Sequence, residues 1–292
     1  DELKNNFALA NEHIFVLKNS DENLQWYLFY YLFSDEGQRQ IKNNITGMAQ
    51  GGINRNNLKK ILIPMPPKEI QEKIVREFEE IDKKISDCEE KISASDLAIK
   101  NKFSEMFLEK NFPREKLGNL CEFIKDGTHQ TPTYTEDKKN GYKFLSSKDV
   151  TSEKINWENI KYIPEDLHKI LYSSVAPKRG DILLAKNGTI GYAAIVETDE
   201  IFDIYVSLAL LRFKPEINIY YAWSAINSEE TRKNFKEKII GMGVPNLHLK
   251  EIKQTTIPVP PKEMQEKFAE FVLRAEEDKN SSKNLREKYL VE

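Results

Sequence analysis

The sequence repeats itself over a long distance. IPMPPKEIQEK at 63–73 returns as IPVPPKEMQEK at 257–267, nine of eleven positions identical at an offset of 194. At the same offset and without a gap, Gly47-Met48 falls on Gly241-Met242, Leu58 on Ile252, and SDE at 34–36 on SEE at 228–230. Further upstream, Trp26-Tyr27 falls on Tyr220-Tyr221, and HIFVLK at 13–18 on SLALLR at 207–212. Solenoid repeats have periods of roughly 20–50 residues, so this one reads as two copies of a whole domain with its connector. Copy two is complete from about Lys116. Copy one starts at the equivalent of Ile195 and holds no counterpart of residues 116–194. The sequence leaves open whether that front portion was lost, lies outside this stretch of sequence, or is supplied by another chain.

Each copy of the motif is a strand-to-helix joint. Pro64, Pro66, Pro258 and Pro260 keep the residues before them extended and end a strand. Pro67 and Pro261 suit the first helical turn, where a missing N–H costs nothing, and Glu69 and Glu263 then meet the positive end of the helix dipole. After the first joint Ile70, Ile74, Phe78, Ile81, Ile85, Cys88 and Ile92 recur at steps of three and four, continued by Ser95, Ile99, Phe103 and Met106. That is a heptad-like seam. With no proline or glycine between Pro67 and Pro113, the helix can reach about 43 residues, or roughly 65 Å at 1.5 Å per residue. After the second joint Met264, Phe268, Phe271, Ala275, Asp278, Ser282, Leu285 and Tyr289 repeat the seam with more polar members, which predicts a helix that is shorter or frayed.

Between the helices the pattern is mixed. GYKFLSSKDV (141–150), GDILLAKNGTIGYAAIV (180–196) and YVSLALLRFKP (205–215) carry the alternation and turn glycines of strands, and 218–238 reads as helix. The fold class is therefore α/β with a substantial sheet.

Several functional classes are excluded by what is missing. No run of eighteen apolar residues is present, and the acidic start DELKNNFALANE resembles no signal peptide, so the reading places the chain in the cytoplasm and off membranes. Two cysteines and four scattered histidines give neither a disulfide framework nor zinc spacing. There is no phosphate loop, no GxGxxG and no GxSxG elbow. MPPK and VPPK lack the amide or acid before the prolines, and the aromatic after them, that an adenine methyltransferase tetrapeptide needs. No catalytic residue and no bound cofactor or metal is expected. The net charge of -3 gives no global signature of nucleic-acid binding. Residues 68–110 carry -3 and 262–292 carry -1, which leaves the rest at +1 and permits a basic face there.

What remains is polar loop chemistry. DGTHQTPTY (126–134) sets His129, Gln130, Thr131 and Thr133 around a glycine and a proline, in a rigid loop dense in donors and acceptors. In AKNGTIG (185–191) an Asn-Gly hairpin turn accounts for Asn187 and Gly188, while Lys186 and Thr189 suit phosphate contact. GMGVPNLHLKEIK (241–253) and GMAQGGINRNNLKK (47–60) occupy matching places in the repeat. They offer Asn246, His248, Lys250, Asn54 and Arg55, types that pair with base edges or phosphates. For each, solvent-exposed turn chemistry is the plainer alternative.

The paired IPxPPKExQEK joints with DGTHQTP, FLSSKDV and GDILLAKNGTIGYAAIV, in this order over essentially the whole chain, resemble the specificity (S) subunit of type I restriction-modification systems. The resemblance implies target-recognition domains of mixed α+β fold, with mainly antiparallel twisted sheet, joined by two long antiparallel coiled-coil-like helices. Residues 1–66 would be the C-terminal part of the first domain, 67–112 the first conserved helix, 113–261 the complete second domain and 262–292 the second helix. Each domain would read half of a split double-stranded DNA target, with Lys148 of FLSSKDV joining the loop residues above. The helix seam (Ile70, Ile74, Phe78, Ile81, Ile85, Ile92, Phe103, Met264, Phe268, Phe271, Leu285) would form the partner-helix interface. Modification subunits would bring S-adenosylmethionine, and a restriction subunit ATP and Mg. The truncated first copy departs from this pattern. Alternatives are the specificity region of a single-chain type II restriction-methylation enzyme, a coiled-coil scaffold whose sheet domains bind no DNA, and an enzyme of unknown type.

Overall fold

The computed structural model describes residues 14–46, 51–239 and 245–291. The pairing of Gly47-Met48 with Gly241-Met242, and His13 at the head of the first extended run, lie outside them. The described residues form two compact units, one running to Glu90 and resuming at Lys283, the other Lys91–Ser282.

The first unit contains α1 (Glu22–Phe33), α2 (Asp35–Asn43), α3 (Arg55–Leu58) and the start of α4 (Lys68–Phe103). The second takes in the end of α4, then β1 (Arg114–Lys116), α5 (Leu117–Leu120), β2 (Cys121–Asp126), β3 (Tyr142–Leu145), β4 (Lys161–Ile163) and α6 (Glu165–Ser174). It continues with β5 (Ile182–Ala185), β6 (Ala193–Ile195), β7 (Phe202–Ile204), β8 (Leu208–Phe213), α7 (Ile219–Asn227), α8 (Glu229–Glu237), α9 (Leu249–Gln254) and β9 (Thr256–Pro258). A second long helix, α10 (Lys262–Val291), is divided between the units as α4 is.

The repeat extends to individual hydrogen bonds. Tyr27 Oη donates to the Pro64 carbonyl at 2.7 Å, and Tyr221 Oη donates to that of Pro258. Gln71 Nε2 donates to Pro66 at 2.7 Å, and Gln265 Nε2 to Pro260 at 2.9 Å. Ser34 caps α2 through the Gly37 N–H, as Ser228 caps α8 through that of Thr231. Both long helices begin at the lysine after the last proline, whose carbonyl accepts the first intrahelical bonds. The prolines thus stand one place earlier than the first-turn reading had them. Ser228 also divides the stretch read as one helix at 218–238, because its side-chain cap starts a new helix there.

The long helices follow the three-four seam with local corrections. Cys88, Ile99, Phe103 and Phe268 are buried, and Ile74, Ile81, Ile85, Ile92, Met264 and Phe271 are half-buried. Ile70, Phe78 and Leu285 are exposed. Val75 takes the inward position beside Ile74, and Phe78 instead stacks on Tyr30 at 4.5 Å. In α10 the inward positions are Val272 and Lys279 rather than Asp278, with Lys279 paired to Asp96. The helix stays regular to Val291 despite this polar seam. α4 is 36 residues long and passes into a π-turn at Ser104–Leu108. Its extra residue advances the phase, so Phe107 rather than Met106 is fully buried, 5.0 Å from Tyr221 and 5.4 Å from Phe268. Inside the second unit Phe103 meets Phe268 while Asp96 meets Lys279, and inside the first Glu89 meets Arg286. Residue numbers rise on one helix as they fall on the other, so the pair is antiparallel.

The second unit's main sheet has the order β2-β8-β5-β6, all antiparallel; β4-β3-β7 forms a second sheet and β1-β9 a ribbon. In the second sheet β3 pairs antiparallel with β4 and parallel with β7. Strand alternation divides the core. Ile182, Leu184, Ala209 and Leu211 face the helices with Phe103, Tyr221 and Phe268. Leu183, Ala185, Leu208 and Leu210 face Leu145, Val150, Phe202 and Ile204. Each buried leucine or isoleucine stabilises the unit by about 1.5–3 kcal/mol relative to exposure. Both cysteines are buried and free, and burial pushes the Cys121 thiol up to about 12.

Candidate nucleic-acid interface

The topology brings five chain segments to one end of the second unit. Asp126 of β2 lies opposite Ala209 and Ala185 of β5 opposite Leu208, so the ends of β2 and β5 meet the start of β8. The parallel pairing of Leu145 with Ile204 brings the ends of β3 and β7 to their own common edge. Hydrogen bonds, most of them main-chain, then join the segments. Thr128 N–H donates to Ile204 C=O at 3.2 Å, Val206 N–H to Thr128 C=O at 3.0 Å, and Tyr205 N–H to Leu145 C=O at 2.8 Å. Ser147 N–H donates to Ser207 Oγ at 3.0 Å, Lys186 N–H to Ser207 C=O at 2.9 Å, and Leu247 N–H to Lys186 C=O at 2.8 Å. Asn187 and Asn246 form an antiparallel bridge.

Two glycines permit this closeness. A Cβ on Gly127 would lie 2.0 Å from the Ile204 carbonyl oxygen, so the DGTHQ loop can lie against β7 only with glycine there. Gly188 has φ +70°, a conformation glycine adopts without cost. The segment around it differs from the Asn-Gly hairpin expected. Lys186–Tyr192 is a longer connection between β5 and β6, with Asn187 drawn away to pair with Asn246.

His129, Gln130, Thr131, Thr133, Lys148, Thr189, His248 and Lys250 are exposed on these segments. Asn187 and Asn246 are half-buried, and their amide oxygens are buried without a hydrogen-bond partner. Lys186 departs from the phosphate-contact reading: its side chain is 5% exposed, with Nζ 3.3 Å from Asp126 Oδ2. Asn54 and Arg55 belong to the first unit, where Asn54 caps α3 by accepting the Asn57 N–H at 2.9 Å. Residue-type reasoning passed over Asp126, Ser147 and Ser207, which bind the segments together. It also passed over Tyr134, the last residue of DGTHQTPTY, with Lys161 Nζ 4.0 Å from its ring centroid. Burial raises the Tyr134 phenol. Among the described residues no group of three or more His, Cys, Asp or Glu is placed to hold a metal ion, and no helix is long and apolar enough to cross a membrane.

Comparison with known proteins decides the family. Two stretches, 3–95 and 109–288, match the family described as Type I restriction modification DNA specificity domain. The chain belongs to that family. The two matches to this specificity domain fall on the two copies of the repeat. The type I restriction enzyme MjaVIII specificity subunit of Methanocaldococcus jannaschii is 28% identical over 265 residues, 84% of this chain and 61% of that protein. The chain therefore spans about three fifths of that relative's length. The crystal structure of the type I restriction-modification S subunit of M. genitalium aligns over 91% of this chain and 69% of that one, with a TM-score of 0.56 and 16% identity. It shares the specificity-domain fold: mixed α/β units with antiparallel sheet and long helices.

Proposed function

We propose that this chain is a DNA-recognition subunit of a type I restriction-modification complex, non-catalytic by itself. Its second unit reads one half of a bipartite target through the loop face, and its long helices dock modification subunits. S-adenosylmethionine, ATP and Mg act on the partner subunits, the last two with a restriction subunit. The observation that carries the reading is the set of segments from both sheets, bonded to one another at one end and presenting His, Gln, Thr and Lys side chains outward. Fixed loops present side chains in one geometry, and a well-made bidentate base contact discriminates by about 1–3 kcal/mol. A few such contacts suffice for a half-site of about three or four base pairs. Exposed lysines such as Lys148 and Lys250 suit phosphates, which position the protein and make binding salt-dependent.

Sequencing the methylated bases of cells that express this chain with its modification partner tests the proposal. The expected result is adenine methylation in one split sequence. Methylation without sequence preference, or in an unsplit site, would overturn it.

A further inference from the structure

Among the candidate reading residues Lys186 alone is buried, and its position is over-determined. Its N–H and C=O join the β7–β8 connection to the segment before α9. Its ammonium faces Asp126 Oδ2 at 3.3 Å, and the same oxygen lies 3.3 Å from His129 Nε2. His129 itself is 74% exposed. A buried ion pair is weak evidence for stability, since apolar residues of similar volume often serve as well. What this one fixes is geometry. Asp126 precedes Gly127, whose backbone is pressed on Ile204, so the freedom left in this part of the loop is rotation of the Asp126 carboxylate and of the imidazole beside it.

We infer that Lys186 is a positioning residue for DNA reading: by holding Asp126 it sets the orientation in which His129 meets the DNA, and it makes no phosphate contact of its own. The inference rests on the DNA-reading role proposed above.

The two roles of a lysine separate in salt. A phosphate-contacting lysine contributes about 0.9 to the slope of log K against log salt, whereas a positioning lysine contributes nothing to it. The experiment takes the full chain co-expressed with its modification partner, selects from a randomised duplex pool, and titrates the enriched duplex with salt. Lys186→Met is expected to lose about tenfold in base preference at one or two positions of one half-site, with the salt slope unchanged. Lys186→Arg keeps the preference, and Lys186→Met adds nothing in a His129→Ala background. A slope reduced by about 0.9 with preference intact would overturn the inference, as would a Lys186→Met effect that persists undiminished without His129. If Lys186→Met does not fold, Asp126→Asn, at the less buried end of the pair, must show the same loss of preference or the inference fails. If the wild-type complex enriches no sequence, the DNA-reading role itself falls, an outcome distinct from the others.

Discussion

Removing one oxygen from each copy of the repeat measures how the joint is held. Tyr221 is fully buried, and its phenol donates to the Pro258 carbonyl at the end of β9, four residues before α10 begins. Burial raises that phenol well above its usual range, so it remains a donor throughout the stable pH range. Tyr221→Phe leaves the carbonyl without this partner in a site with little access for water. The expected loss is about 2 kcal/mol, from the 1–3 kcal/mol cost of a buried polar group left unsatisfied. For a unit the size of Lys91–Ser282 that is a fall in Tm of about 4–8 °C. Tyr27→Phe removes the equivalent 2.7 Å bond to Pro64, where the surroundings are only partly buried, and should cost about 1 kcal/mol. The glutamines order the same way. The Gln265 side chain donates to Pro260 and accepts the Asn218 N–H at 2.9 Å, whereas the Gln71 side chain bonds Pro66 alone among the described residues. Gln265→Ala should therefore exceed Gln71→Ala. Calorimetric melting of the four single variants gives the comparison. Tyr221→Phe melting with the wild type, or Tyr27→Phe costing as much as Tyr221→Phe, would refute the view that these bonds hold the joint in proportion to their burial.

Three further outcomes are expected. Gly127→Ala forces a Cβ against the Ile204 carbonyl and should cost about 2–3 kcal/mol with loss of base preference in one half-site; unchanged melting and preference would mean that the loop does not need this approach. Asp203 is buried and bonded to His168 Nδ1 at 2.7 Å, and burial raises its carboxyl above 3.8 with His168 opposing. The folded chain thus holds this proton more tightly than the unfolded chain, so the contribution is most favourable below pH 3.8 and declines as pH rises through the raised value. In urea titrations the stability of wild type minus Asp203→Asn should fall across that window, and a rise would contradict the assignment. Removing one heptad from each long helix keeps the seam in phase and shortens it by about 10 Å, or about three base pairs of duplex; the spacer found by methylation sequencing should change accordingly, and an unchanged spacer would show that helix length does not set it.

The parts of this fold that were legible in the sequence are those written in residue order. The start of both long helices and the three-four seam depend on neighbours a few positions away, and the structure departs from them by single-residue steps such as Val75 for Ile74; of the two joints only the second has a strand, β9, before its helix, while residues 61–67 form none. The strands β1, β4 and β7 were not legible: three residues cannot display an alternation, and each exists because a partner strand lies beside it. The π-turn at Ser104–Leu108 likewise answers to packing, since it turns Phe107 onto rings more than a hundred residues away. At the candidate interface the exposed loop residues could be read from composition, because polar side chains between strands have little else to do. Lys186 could not. Whether a lysine reaches outward or is buried depends here on a carboxylate 60 positions upstream, and nothing in AKNGTIG announces it.

The two copies of the repeat also show which interactions are local. On α7, Trp223 is buried and its Nε1 donates to Ala193 of β6 at 2.9 Å, and Asn227 donates to the same carbonyl. Their counterparts on α1 are Phe29 and Phe33, and both are exposed. Ile14, Phe15, Val16 and Leu17, which correspond to residues 208–211 of β8, are exposed as well. Among the described residues the first unit has no strand, so there the face that α7 packs on sheet is uncovered on α1. Yet the Tyr27–Pro64, Gln71–Pro66 and Ser34–Gly37 bonds are all made. Bonds made alike in both copies, with a strand before the prolines in one and none among the described residues of the other, belong to the joint itself. The entry into the long helix is thus specified by the eleven-residue motif with its upstream tyrosine, independently of the candidate interface, which leaves the loops free to differ without disturbing the helices that carry them.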